Sequence, residues 1–163
     1  KSVGRNSFLI LNCAPQADGS VHPDDMTRYQ EFGAEIDRRF GHPLGEIKQV
    51  PGREVLLDLG ASKEIGCTDL WEDYRYGHRI REYVIEGFDG KQWIPLAHGT
   101  AVGRRKIDRC TPRSVTQVRV RITQSVGTPL IRKFMVHPGA VPAAAAVQPF
   151  APPAGQAKPT ASS

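Results

Sequence analysis

Residues Ile80–Thr100 read IREYVIEGFDGKQWIPLAHGT, and this stretch decides the fold. Tyr83 and Ile85 fall on one face of an extended run, Glu82 and Glu86 on the other, which is the two-residue period of a half-buried strand. Asp89-Gly90 supplies the turn, because glycine takes the positive φ of a tight hairpin without steric cost. Trp93, Ile94 and Leu96 restart the apolar pattern. The stretch is a β-hairpin. Pro95 cannot donate to a ladder, so its strand belongs at an edge or beside a bulge.

Working outward, further strands are expected over residues 54–59, 67–72, 104–109, 115–123 and 131–137, beside 80–88 and 92–97 of the hairpin. Within Val118-Arg119-Val120-Arg121-Ile122 the aliphatic residues point inward and the arginines outward. Short strands at this spacing, broken by Gly and Pro, predict an antiparallel β-sandwich or barrel over residues 46–137.

Residues 1–42 read differently. Ser7–Cys13, SFLILNC, is a short apolar run of the kind found in a strand buried on both faces. A loop with Asp18-Gly19 follows. Pro23 then opens a helix, with Asp24 and Asp25 set against the positive end of its dipole. Met26, Tyr29, Gly33, Ile36 and Phe40 form one stripe at three- and four-residue spacing. Arg38 and Arg39 occupy the last turn, and Gly41 ends the helix. A buried strand and an amphipathic helix make one β/α unit, which cannot cover its own strand. It is therefore expected to be the end of a larger α/β domain. Residues 138–163 are Ala/Pro-rich and nearly uncharged, and are expected to be disordered.

The chain of 163 residues carries a net charge of +5, with 39% hydrophobic and 24% charged residues, and has room for one full core. The basic excess is local: residues 41–138 hold sixteen basic and eleven acidic side chains. Such a domain could bind a polyanion by counterion release, but a solvated Arg-rich sheet face explains the same excess, and nucleic acid is not an expected partner. No apolar run is long enough to cross a bilayer, so no membrane partner is expected either. No secretory leader is visible. The chain begins with Lys1 and is read as a fragment or processed product, so that absence says nothing of a parent protein.

Cys13, Cys67 and Cys110 are widely spaced, without C-x-x-C or Cys/His metal spacing. Cys67 and Cys110 are either a disulfide or two buried free thiols. Nucleophile, phosphate-loop and metal motifs are absent, and no cofactor or metal is expected. Glu72 and Asp73 are adjacent in a strand, point to opposite faces, and cannot flank one bond. The segment with binding character is Trp71-Glu72-Asp73-Tyr74-Arg75-Tyr76-Gly77-His78-Arg79. Aromatic rings stack on the apolar faces of sugars while charged groups bond hydroxyls, and loops at a sandwich end commonly carry such sites. The candidate binding residues are Trp71, Tyr74, Tyr76, His78 and Arg79. The competing reading packs Trp71 and one tyrosine into the core.

Val55-Leu56-Leu57-Asp58-Leu59-Gly60, the hairpin from Tyr83 through Asp89-Gly90 to Trp93, and Val118–Ile122 together resemble the galactose-binding-like, discoidin-type module. Its members show a "DLG" strand end, a "DG…W" hairpin and a late "VRLRI"-like strand. Asn6–Pro15 with Asp18-Gly19 resembles the closing strand and loop of the catalytic barrel in α-L-fucosidases of glycoside hydrolase family 29, "N-x-L-L-L-N-x-x-P-x-x-x-G". His22-Pro23-Asp24-Asp25, Glu31–Gly33, Glu72-Asp73, Gly77-His78-Arg79 and Gly99-Thr100 with Gly103 also look like that family. The resemblance covers residues 3–137. It departs in two places: only about ten residues separate the helix from Glu54, where a longer run with the sandwich's first strands is expected, so the module is either trimmed or has an edge covered by the barrel; and the tail over 138–163 is no part of the family pattern.

The resemblance implies the C-terminal part of a retaining exo-glycosidase acting on terminal α-L-fucosides: the last β/α unit of a truncated TIM barrel over 1–42, then a discoidin-like sandwich. The nucleophile and the acid/base would both precede Lys1, so no catalytic residue is assigned and the fragment is expected to be inactive. Asn12 and Asp18 would lie on the barrel face where active sites form. The implied partners are a fucosylated glycan and the missing catalytic barrel. The family, and nothing else, implies a secreted, periplasmic or lysosomal location. A stand-alone carbohydrate-binding module and a polyanion-binding discoidin module are the other readings.

Overall fold

A computed structural model describes residues 3–139 of the chain. Helix α1 spans Pro23–Phe40, followed by strands β1 (Gly45–Pro51), β2 (Glu54–Glu72), β3 (Ile80–Phe88), β4 (Trp93–Gly99), β5 (Lys106–Ser125) and β6 (Leu130–Pro138), with one 3-10 turn at Tyr74–Tyr76. All pairings are antiparallel, in the order β1-β6-β2-β5-β3-β4. The expected pairs 54–59 with 67–72, and 104–109 with 115–123, are each continuous in the structure, as β2 and β5. Their ladder slips between Asp58 and Lys63 and again between Ile65 and Cys67, and Gly60 turns at φ +71 beside the first slip. Such irregularities bend a sheet sharply.

Bent there, one sheet serves as two layers. The first half of β2 pairs with the second half of β5, which carries β3 and β4. The second half of β2 lies between β5 and β6, and β6 carries β1. Val55, Leu57, Ile65, Leu70, Tyr83, Ile85, Val118, Val120 and Phe134 are buried between the layers, with Leu44, Ile47 and Val50 packed on them. Each fully buried aliphatic or aromatic side chain contributes about 1.5–3 kcal/mol relative to exposure. A Cβ on Gly45 would lie 2.8 Å from Leu59, so glycine lets β1 close onto the opposite layer. The result is the expected antiparallel sandwich. β1 is the correction to the expected missing strands: it fills the short interval before Glu54.

The hairpin follows its pattern. Tyr83 and Ile85 are buried and Glu82 is exposed. Asp89 Oδ1 accepts from the N–H groups of Lys91 and Gln92, both at 2.8 Å, and Gly90 takes φ +98. β4 is an edge strand, and Pro95 faces Glu86 next to a register break. On the outer face Arg119 and Arg121 share the Glu86 carboxylate at 2.8 and 2.7 Å, which holds that carboxyl below its usual range.

The N-terminal part departs from expectation. Residues 7–14 form no strand, and Phe8 (73%), Leu9 (43%), Ile10 (88%) and Leu11 (50%) are exposed. A strand needs hydrogen-bonded neighbours, and among the described residues the bridge from this segment to the six strands is made by Arg5 to Lys106, before residue 7. α1 forms as read: His22 accepts from Asp24 N, Pro23 opens it, and Glu35 binds both Arg38 and Arg39. No α1 residue is fully buried. The stripe residues Met26, Tyr29, Ile36 and Phe40 are half-buried, while Gly33 is exposed. The tail expected to be disordered lies, beyond Gly139, outside the described residues.

Candidate functional site

Glu72 ends β2 with its side chain 1% exposed. Its carboxylate accepts from Arg79 N at 2.6 Å, Ile80 N at 2.9 Å and Gly103 N at 3.3 Å, and Glu72 N donates to Gly103 O at 3.1 Å. A buried carboxylate is tolerated when donors replace its water. These bonds tie the 73–79 turn, the start of β3 and the loop before β5 to one point. Asp73, just past the end of β2, accepts from Arg75 N and binds the Arg75 guanidinium at 2.6 Å, which lowers its pKa. The expected divergence of Glu72 and Asp73 is corrected: the strand stops at Glu72, Asp73 caps the following turn, and both line one cavity, each held by its own hydrogen bonds.

The frame positions the candidate residues in three places. Tyr74 stacks on His78 with centroids 5.8 Å apart. The two line a cleft of about 250 Å³ with Asn6, Phe8 and Arg104. Arg104 lies 4.3 Å over the Phe8 ring, and Arg104 N donates to Asn6 Oδ1 at 2.6 Å. Tyr76 is 68% exposed under the Arg79 guanidinium, which donates to Thr128 O at 2.8 Å. Trp71 is elsewhere: half-buried on the outer sheet face, it donates from Nε1 to Asp69 Oδ1 at 2.8 Å. Neither reading of Trp71 therefore holds in full. It is not in the core, where the tyrosine is Tyr83, and it does not join Tyr74 and His78. Asn12 is exposed. Asp18 accepts from Ser20 N and Oγ within its own turn, which lowers its pKa.

The outer face of β6, β2 and β5 carries polar groups that the sequence reading did not single out. Asp69 is fully buried and paired with Arg105 at 2.6 Å. His137 is fully buried, with neither ring nitrogen hydrogen-bonded and Nε2 3.9 Å from Asp69. Phe40, the last residue of α1, meets His137 edge-on at 5.5 Å and lies under Arg105. Burial pushes the His137 pKa down, and the Asp69 charge opposes that shift. Cys67 and Cys110 are free, half-buried thiols on one cavity of about 280 Å³ below Phe40. Burial raises both pKa values, Cys67 to about 11. His137, which follows Phe134-Met135-Val136 in β6, is the one signal available; Asp69 lies among Lys63, Glu64, Thr68 and Glu72 in β2 and does not stand out. Among the described residues no group of three His, Cys, Asp or Glu could hold a metal ion.

The comparisons with known proteins converge. No family model matches the chain. Among curated proteins it is similar to the putative α-L-fucosidase 1 of Oryza sativa subsp. japonica, 25% identical over 170 residues, which covers 83% of this chain and 33% of that protein. Among solved structures it resembles a putative α-L-fucosidase from Bacteroides thetaiotaomicron VPI-5482 with a TM-score of 0.80 and 33% identity, covering 84% of this chain and 32% of that one. It also resembles a glycoside hydrolase 29 family member from an unknown rumen bacterium, with a TM-score of 0.72 and 30% identity, covering 90% and 28% respectively. The chain thus spans about a third of the length of these relatives. The β-sandwich with its N-terminal segment is similar to a partial, C-terminal-like region of the α-L-fucosidases of glycoside hydrolase family 29.

Proposed function

We propose that this chain is the non-catalytic C-terminal part of an α-L-fucosidase-like glycoside hydrolase, in which a discoidin-like sandwich braces a (β/α) barrel that performs retaining hydrolysis of terminal α-L-fucosides. Residues 7–13 and α1 are the last β/α unit of that barrel, and Asn12 and Asp18 lie on its active-site face.

One observation carries the reading. The sandwich holds the root of an apolar segment that, among the described residues, pairs with no strand along residues 7–14. Ile107 N donates to Gly4 O at 2.9 Å and Asn6 N to Arg105 O at 3.0 Å. Gly4 has φ +71, and a Cβ there would lie 2.4 Å from Ile107. The exposed Phe8–Leu11 run follows at once. An apolar segment fixed at one end and open along its length fits a strand that completes a parallel sheet in another body.

The carboxyl groups support a non-catalytic role. A retaining glycosidase needs a pair of carboxyls, one of them with a raised pKa. Among the described residues, those with a displaced pKa (Asp18, Glu35, Glu46, Asp73, Glu86 and Asp89) are all held low by hydrogen bonds. The buried Asp69 and Glu72 are committed to Arg105 and to backbone N–H groups. The test is hydrolysis of an aryl α-L-fucoside by the purified chain. No turnover is expected; turnover abolished by substituting a carboxyl of this chain would overturn the assignment. The cleft of Tyr74, His78 and Arg104 favours a second reading, a carbohydrate-binding module that acts alone. It requires saturable NMR shifts at Tyr74 and His78 with L-fucose or D-galactose, and their absence removes it.

A further inference from the structure

The sandwich has a further concave place, which shares Tyr74 with the Phe8 and His78 cleft, where β1 and β6 become irregular at one level. In β1, Gln49 sits between the register pairs Lys48↔Lys133 and Val50↔Ile131, with φ +53. A non-glycine residue pays about 1–2 kcal/mol for that left-handed backbone. In β6, Arg132 is the extra residue of a bulge against β2, where Trp71 pairs with Lys133 and Glu72 with Ile131. Bulges re-aim side chains and gather beside functional sites. Together with Glu72, Asp73, Tyr74 and Arg75, Gln49 and Arg132 line a cavity of about 300 Å³, at the small end of ligand sites and suited to one sugar ring.

Most charged groups around this cavity have close partners. Asp73 is bound by Arg75 and also feels the Arg132 charge, Glu72 accepts from backbone N–H groups, Lys133 and Lys48 share Glu46, and Arg105 binds Asp69. Arg132 is exposed and, among the described residues, has no salt bridge; its guanidinium lies 5.9 Å over the Trp71 ring. A planar guanidinium held on an aromatic face presents its fork to a carboxylate. Tyr74, 40% exposed, offers a ring face to the apolar side of a pyranose, and the Gln49 amide offers a donor and an acceptor to hydroxyls.

We propose that Gln49, Tyr74 and Arg132 form a binding site for a carboxylate-bearing saccharide, a uronic-acid type of residue, with the carboxylate on Arg132 and the ring on Tyr74. The site stands independently of the scaffold reading: the fucoside assay and the experiment below can each fail without the other.

The experiment is an amide and side-chain NMR titration of the intact chain with methyl β-D-glucuronide. Methyl β-D-glucoside, acetate and sulfate are the controls. Saturable shifts at Gln49, Tyr74 and Arg132 are expected, with Kd on the order of 1 mM. The neutral glucoside and the simple anions should each bind about tenfold more weakly or worse. Arg132→Met keeps the stem on Trp71 and should abolish the preference for the glucuronide over the glucoside, with the rest of the spectrum unchanged. Equal binding of the glucoside would overturn the role of Arg132. Equal binding of acetate or sulfate would overturn saccharide recognition. No shifts at about 50 mM glucuronide would overturn the site.

Discussion

The two sides of this sandwich solve burial differently. The hairpin side, with β3, β4 and the second half of β5, separates its faces cleanly: Tyr83, Ile85, Val118 and Val120 inside, Glu86, Arg119 and Arg121 outside. The other side, with β6 and the second halves of β2, buries Asp69, Glu72 and His137. It covers them with Phe40 and the loop before β5. A half-buried sheet face needs only an apolar pattern. A face that must anchor incoming chain segments needs polar groups to fix them, and burying those groups costs stability unless each finds a partner. The polar side is where the N-terminal segment is fastened, through Gly4 to Ile107 and Asn6 to Arg105.

Substitutions that compare the sides should differ in size accordingly. The largest effect is expected for Glu72→Ala, which strands buried backbone donors at three positions and should cost about 3 kcal/mol or more in urea denaturation. Glu72→Gln should recover part of that loss. Gly45→Ala comes next: the new methyl meets Leu59 and should cost about 1–3 kcal/mol by overpacking, also read from the denaturation midpoint. Tyr83→Phe removes the 2.5 Å hydrogen bond to Asp108 and should cost about 1 kcal/mol. Glu86→Ala, on the solvated side, should cost under about 1 kcal/mol despite losing two ion pairs. If Glu86→Ala proved as harmful as Glu72→Ala, the contrast would collapse.

pH offers a finer test. His137 is buried neutral, so its folded pKa lies below the ordinary 6.5. The unfolded chain then binds the extra proton first, and stability should fall as pH drops below 6.5 towards the folded pKa. Asp69 faces the ring from β2 and moderates the loss; Arg105 and Lys133 deepen it. His137→Leu should flatten the stability profile in that window, and an unchanged slope would show that the ring is not buried neutral.

Legibility in the sequence followed the same division. The hairpin and Val118–Ile122 were readable because one face is apolar and the other solvated. The continuity of β2 and β5 was hidden: Gly60, Gly66 and Pro112 read as breaks, whereas the ladder absorbs them as bends and slips. β1 is hidden by its irregular backbone, since Gln49, at φ +53, puts Ile47 and Val50 out of two-residue alternation. The run 7–13 was read as buried because apolar content reports a need for burial, not the whereabouts of the partner. Tyr74 and His78 were found by residue type. Asn6 and Arg104, 98 positions apart, were not, because only the folded sheet brings them together.

In the proposed reading the sandwich is self-sufficient while its N-terminal apolar segment is a strand awaiting partners. Hydrogen exchange of the chain alone separates the two, by comparing the amides of Phe8–Leu11 with those of Val118–Ile122. Val118, Val120 and Ile122 should exchange only through global opening, and Phe8–Leu11 close to the rate of an unstructured peptide. Comparable protection of Phe8–Leu11 would mean that the segment finds its partners within this chain, and would overturn the reading.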